Sequence, residues 1–244
     1  RKWIVAGCAA LALASGPSVA RTAEETASAA LKAAPVFDGH NDVPEQLRDR
    51  WDNRIAAFDF RDTRGTADPA NDRIAMHTDL ARLRQGRVGA QFWSVWVSTA
   101  LSDQQAIQAT LEQIDVTKRL VARYPADLQL ATSADEVERA IKAGRIASLI
   151  GMEGGHSIGG SLGVLRQMHA LGARYLTITH SRNTSFADSA TDKPVHNGLT
   201  RHAGRSQPRF RKDHARCPRC GARAGDLQPF RRAGDRFPSA QCAR

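Results

Sequence analysis

His40-Asn41-Asp42 places an imidazole and a carboxylate at positions i and i+2, which on an extended strand point to one face and can hold a single ion together. Such a triplet is common, and alone it reads as a solvent-facing pair. Glu153 gives it weight, because it ends the apolar run Ile146-Ala147-Ser148-Leu149-Ile150-Gly151-Met152 and precedes Gly154-Gly155. A carboxylate at the end of a buried strand is unfavourable unless it meets positive charge, and a metal ion is a natural partner. It can also bridge two ions about 3.5–4 Å apart, which together clamp a nucleophilic water and a substrate oxygen. His180 closes a further apolar run, Ala173 to Thr179. These four side chains have the types that metal-assisted hydrolysis or acid/base chemistry needs.

Something must bring them together, and the pattern between them says what. Ala34 to Asp38 runs extended into His40. Ile74 to Gln85 has helical spacing and stops at Gly86, and Val88 to Val97 is rich in β-branched and aromatic residues, which reads as a strand. Asp103 to Tyr124 is a long amphipathic helix ended by Pro125. Ser133 with Glu136 forms a capping box that opens another helix, closing at Gly144. Arg145 to Met152 is a buried strand, Ser161 to Leu171 a helix stopped by Gly172, and Ala173 to Thr179 again a strand. Helix, glycine stop, apolar strand and polar loop therefore repeat, which implies parallel strands with crossover helices in a doubly wound sheet or a (β/α)8 barrel. In both architectures chemistry gathers at the carboxyl ends of the strands, where His40, Asp42, Glu153 and His180 all fall.

The strings Val36-Phe37-Asp38-Gly39-His40-Asn41-Asp42, Gly151-Met152-Glu153-Gly154, Leu176-Thr177-Ile178-Thr179-His180 with Asn183 and Ala187-Asp188-Ser189, and His196-Asn197-Gly198-Leu199-Thr200 resemble successive signatures of the membrane (renal-type) dipeptidase family. The resemblance runs from Ala34 to Thr200. It implies the N-terminal half of a (β/α)8 barrel of TIM type and a two-Zn2+ centre. There His40 and Asp42 bind one ion, Glu153 bridges both, and His180 contacts the substrate or its tetrahedral intermediate. Glu153 and His180 are then the catalytic candidates, and His40, Asp42 and Glu153 the metal ligands. Phe186 stands where the family usually has Trp, and two further histidines of the family's second metal site lie on later strands with no counterpart here. The substrate implied is a dipeptide or small amide. The alternatives are a related metal-dependent amidohydrolase acting on N-acyl amino acids or cyclic amides, and a secreted protein whose basic tail binds metal or nucleic acid. Membrane association and a homodimer are left open.

Charge and composition bound these readings. The 244 residues are 41% hydrophobic, enough for a packed core, and carry a formal net charge of +10. Residues 201–244 hold eleven Arg and one Lys against three Asp, a net of +9, which leaves +1 for the first 200 residues. The body is near neutral, and the tail lacks aromatic interleaving, so no nucleic-acid partner is expected. Arg1-Lys2, an apolar run from Trp3 to about Ala14, and Gly16-Pro17-Ser18-Val19-Ala20 have the parts of a cleaved secretory signal spanning 1–20, which predicts a secreted or periplasmic protein. Val5-Ala6-Gly7-Cys8 is a weaker lipoprotein-type string, and the absence of an initiator Met reads as an incomplete start. Residues 21–33 read as a short linker helix and 34–200 as the partial barrel.

The tail is poor in aliphatics and has no helical or strand period, so it reads as disordered. With suitable codons, reading it one nucleotide later turns the stretch from Arg205 into Asp-Leu-Ser-His-Val and that from Gly225 into Val-Ile-Phe-Ser-His, both like the family's histidine-bearing strands. That is the signature of a frameshift, and the chain as written is expected to be poorly folded and inactive. Cys217-Pro218-Arg219-Cys220 near His214 imitates half a zinc knuckle, with only Cys242 to add, and is read as accidental. His156 is read as a loop cap, His196 as shaping a turn, and Trp93 and Trp96 as barrel packing.

Overall fold

The structure is a computed structural model that describes residues 21–200. The secretory-type stretch 1–20 and the basic tail 201–244, with its cysteines, lie outside the described residues. Five parallel strands form one sheet: β1 (Val36–Asn41), β2 (Val88–Trp96), β3 (Leu128–Leu130), β4 (Ile146–Glu153) and β5 (Ala173–Leu176). Six helices accompany them: α1 (Ala23–Ala33), α2 (Val43–Trp51), α3 (Leu80–Gln85), α4 (Asp103–Arg123), α5 (Ala134–Lys142) and α6 (Leu162–Ala170). The order across the sheet is β1-β2-β4-β3, with β5 also on β4. β2 pairs with β4 from Ala147 to Glu153, so β3 and β5 share the other edge, β3 along Ile146 to Ser148 and β5 along Ile150 to Met152.

Alternation along the strands sorts the two faces. On one face Trp93 and Ile146 pack with Val43 and Leu47 of α2, Leu80 and Leu83 of α3, and Val116 and Leu120 of α4. Farther along the same face Val95, Ile150 and Met152 meet Ile114 of α4 and Met168 of α6. Each fully buried side chain of this size stabilises by roughly 1.5–3 kcal/mol. On the opposite face Ala90, Ala147 and Leu149 are covered by Val137 and Ala140 of α5. Beyond α5, that second face carries Phe37, Phe92 and Tyr175, and then the polar strand ends.

Several local expectations need correction. The helix expected from Ile74 starts only at Leu80, because the buried Asp79 is its N-cap and accepts from the backbone N–H groups of Arg82 at 2.8 Å and Thr63 at 3.0 Å. Ile74 to Thr78 instead forms a loop facing β1. The Ser133 box is half made: Ser133 Oγ accepts from Glu136 N at 3.3 Å, but the Glu136 carboxylate turns to the Thr132 N–H at 2.6 Å. The strand expected to reach Thr179 stops at Leu176, where the chain enters a loop held by side-chain bonds to its backbone. Trp93 is buried against α2 and α4 as a packing residue, and Trp96 is half-buried on the opposite face against His180.

Candidate metal centre

β1 delivers His40 as its penultimate residue, and Asp42 follows as the residue preceding α2. Asn41 between them fixes the turn: its Oδ1 accepts from Val43 N at 3.2 Å and its Nδ2 donates to Thr78 Oγ1 at 3.0 Å. β4 delivers Glu153 as its last residue, opposite Trp96 in the β2–β4 register. The chain then leaves through Gly154, whose φ of 96° suits glycine and whose missing Cβ would otherwise meet the His156 ring. Gly154 N donates to Thr177 Oγ1 at 2.6 Å, tying this exit to the segment that carries His180.

The sheet thus brings together residues more than 110 positions apart. One donor atom each from His40, Asp42 and Glu153 lies within 4.8 Å of the others, the one such three-donor group among the described residues. His40 Nε2 stands 3.1 Å from Asp42 Oδ1 and 3.2 Å from Glu153 Oε2. One ring nitrogen carries at most one hydrogen, so it cannot serve both oxygens. Asp42 Oδ1, though close, is a buried atom without a hydrogen-bond partner. Two carboxylates and an imidazole nitrogen converging on one point, with an orphaned oxygen, fit a divalent cation of the borderline class that accepts N and O donors.

The surrounding groups support that geometry. Tyr175 Oη lies 3.1 Å from His40 Nδ1. Burial, together with the Glu153, Asp42 and Asp38 carboxylates, pushes the Tyr175 hydroxyl up to about 12, so it stays protonated. With Nε2 as the metal donor, Nδ1 carries the proton and donates to that oxygen, which holds the tautomer and the ring plane. Ser94 Oγ donates to Glu153 Oε2 at 3.1 Å. His180, past the end of β5, places Nε2 3.6 Å from Glu153 Oε1 and packs edge-on to Trp96 with ring centroids 5.6 Å apart. It stands beside the three-donor group rather than in it.

Sequence reasoning did not identify Ser94 or Tyr175, and it read Trp96 as barrel packing rather than as a neighbour of the site. The signal for Ser94 lay in a small polar residue near the end of an apolar strand, and the register sets it opposite Gly151. His156 caps its loop, Nε2 lying 2.9 Å from Val97 O. His196 shapes a turn, as Asp188 accepts from its backbone N and its Nε2 lies 2.9 Å from Thr184 O.

The family described as membrane dipeptidase, peptidase family M19, matches residues 24–206. A dipeptidase verJ of Clonostachys rogersoniana is 42% identical over 192 residues, covering 73% of this chain and 47% of its own. A dipeptidase 3 of Mus musculus is 44% identical over 168 residues, covering 68% of this chain and 31% of its own. The chain therefore spans half or less of the length of these curated relatives. Among solved structures, dipeptidase AC, a metallo peptidase of family M19, superposes with TM-score 0.54 at 26% identity over 63% of this chain and 45% of that one. A metallo peptidase from Rhodobacter sphaeroides, liganded with a phosphinate mimic of the dipeptide L-Ala-D-Ala, does so with TM-score 0.54 at 25% identity, covering 63% and 48%. The parallel sheet with its crossover helices is accordingly part of a TIM-type barrel.

Proposed function

The chain belongs to the membrane dipeptidase family of metallopeptidases, and from that premise we propose that it carries the first metal-binding half of a zinc-dependent dipeptidase. The observation that supports this most is the convergence of His40, Asp42 and Glu153 on one point at the carboxyl end of the sheet. His40 and Asp42 would hold one Zn2+, and Glu153 would reach toward a second whose remaining ligands the described residues do not supply. Zinc, when bound, supplies Lewis acidity that lowers the pKa of water to near 7 and polarises the scissile carbonyl.

The chain's own groups do the rest. Glu153, oriented by Ser94, takes the proton of the attacking water and passes it to the leaving amine. His180 donates toward the carbonyl oxygen as charge develops there, and Trp96 restricts its ring to one side. Tyr175 fixes His40. We place the protein outside the cytoplasm on the strength of the apolar stretch at 1–20, and we read the basic stretch after Thr200 as a shifted frame. Among the described residues no helix is long and apolar enough to cross a membrane.

The test has two parts. Purified chain is titrated with zinc, expecting one ion bound through His40, Asp42 and Glu153 and no dipeptide hydrolysis; turnover of a dipeptide by this chain would overturn the shifted-frame reading. Resequencing the gene across the Thr200 codon then shows whether later histidine-bearing strands exist. For the protein so restored, a panel of L,L- and L,D-dipeptides is set beside N-acyl amino acids, and cleavage of the acylated compounds alone would move the assignment to an amidohydrolase.

A further inference from the structure

Beside the three-donor group lies a cavity of about 410 Å3 that none of the proposed steps uses. One wall is the end of β1 and the first turns of α2, with His40, Asp42 and Glu45; the other is the Ile74 to Thr78 loop, with His77. The cavity is therefore continuous with two of the proposed zinc ligands. A molecule held at the metal has this space next to it, and the space is large enough for a long side chain.

The charges around it are one-sided. Glu45 lines the cavity and has no hydrogen-bond or ion-pair partner among the described residues. Arg50 also lines it, but its guanidinium is committed elsewhere: Nε donates to Gln46 Oε1 at 2.7 Å, and one terminal nitrogen donates to Thr66 O at 3.1 Å and Ile74 O at 3.0 Å. Those bonds hold the loop that forms the far wall. The other charged neighbours of Glu45 are Asp49, Asp42 and Glu153, all carboxylates.

We propose that this cavity is a side-chain subsite in which the Glu45 carboxylate receives the cation of a lysine or arginine residue of a dipeptide; this rests on the dipeptidase reading above. A lysine ammonium or arginine guanidinium placed there gives Glu45 the partner it lacks, with the Asp49 carboxylate as a further anionic neighbour that holds no metal. An aliphatic side chain of equal length fills the same space but leaves the carboxylate unpaired, and a buried or half-buried charge discriminates strongly against a ligand that leaves it so.

The experiment is equilibrium binding by calorimetry to the full chain at pH 8, zinc-loaded, using Gly-Lys and Lys-Gly against their norleucine counterparts. The basic member of at least one pair is expected to bind about tenfold more tightly, the order of one charge-assisted hydrogen bond. In Glu45→Gln that preference should shrink to within about twofold, with zinc affinity measured in parallel to show that the site has kept its shape. Equal affinity for basic and norleucine dipeptides, or a preference that survives in Glu45→Gln, overturns the subsite while leaving the dipeptidase reading intact. Binding of none of the four likewise overturns the subsite, and the dipeptidase reading falls with it only if zinc also fails to bind.

Discussion

Replacing Gly151 by Ala tests whether the packing of β4 sets the geometry of the metal centre. Gly151 faces the second side of the sheet, and a Cβ there would fall on the Tyr175 ring. The ring must move, and three contributions follow. Overpacking a filled position costs about 1–3 kcal/mol. The Tyr175–Phe92 contact, at 4.8 Å between centroids, is disturbed, and such pairs contribute about 0.5–1.5 kcal/mol. The Tyr175–His40 hydrogen bond, at 3.1 Å, is lost, a further ~1 kcal/mol. Part of this is recovered by relaxation, so we expect about 2–4 kcal/mol off the unfolding free energy in chelator, read from urea titration. Because Tyr175 orients His40, zinc affinity should also fall, by about tenfold, the usual effect of removing a ligand's supporting bond. Tyr175→Phe separates the two effects: it keeps the ring and drops only the hydroxyl, so it should weaken zinc binding with little loss of stability. If Gly151→Ala binds zinc as tightly as the parent and unfolds at the same urea concentration, the claim that β4 packing aims His40 is wrong.

Other outcomes follow from the same contacts. Asp42→Asn should cut zinc affinity by at least about a hundredfold in a competition titration, since it replaces an anionic donor in a group of three; unchanged affinity would place the ion elsewhere. Ser94→Ala should lower zinc affinity by about tenfold while the far-ultraviolet dichroism stays the same, because it frees Glu153 without touching the core. Asp79→Ala should cost about 3 kcal/mol, since it leaves the Thr63 N–H buried without its acceptor and removes the partner of Arg82. Glu45→Gln in chelator should stabilise the protein at pH 8. The Glu45 pKa is raised in the fold, so stability falls as pH rises from about 4.5 to about 7 and the native state then bears an unneutralised charge. The gain, about 1 kcal/mol once solvent screening is allowed for, should vanish as pH drops below about 4.5.

Glu153 was legible because it ends an apolar run and a parallel sheet collects strand ends at one rim. His40 and Asp42 were legible as an i, i+2 pair closing an extended stretch, and the reading of all three as ligands came from the family resemblance. α2 was not legible, since Val43-Pro44-Glu45-Gln46-Leu47-Arg48-Asp49-Arg50-Trp51 offers few apolar positions and only Val43, Pro44 and Leu47 are buried. Its helical state rests on tertiary contact with α4 and β2 more than on local pattern. The apolar spacing from Ile74 misled for the converse reason: Ile74 is 69% exposed, and the helix waits for the Asp79 cap. The supporting groups Ser94 and Tyr175 act across separations of 59 and 135 residues in sequence, which no local period reveals.

Trp96 has one further consequence. Its indole sits against the imidazole of His180 and opposite Glu153, within the reach of anything that enters the cluster, whereas Trp93 is sealed in the core and Trp51 lies on the far face. The protein thus contains its own optical reporter. Emission from a Trp96-only variant would register occupancy of the centre without label or turnover, and would do so even in a chain that performs no chemistry.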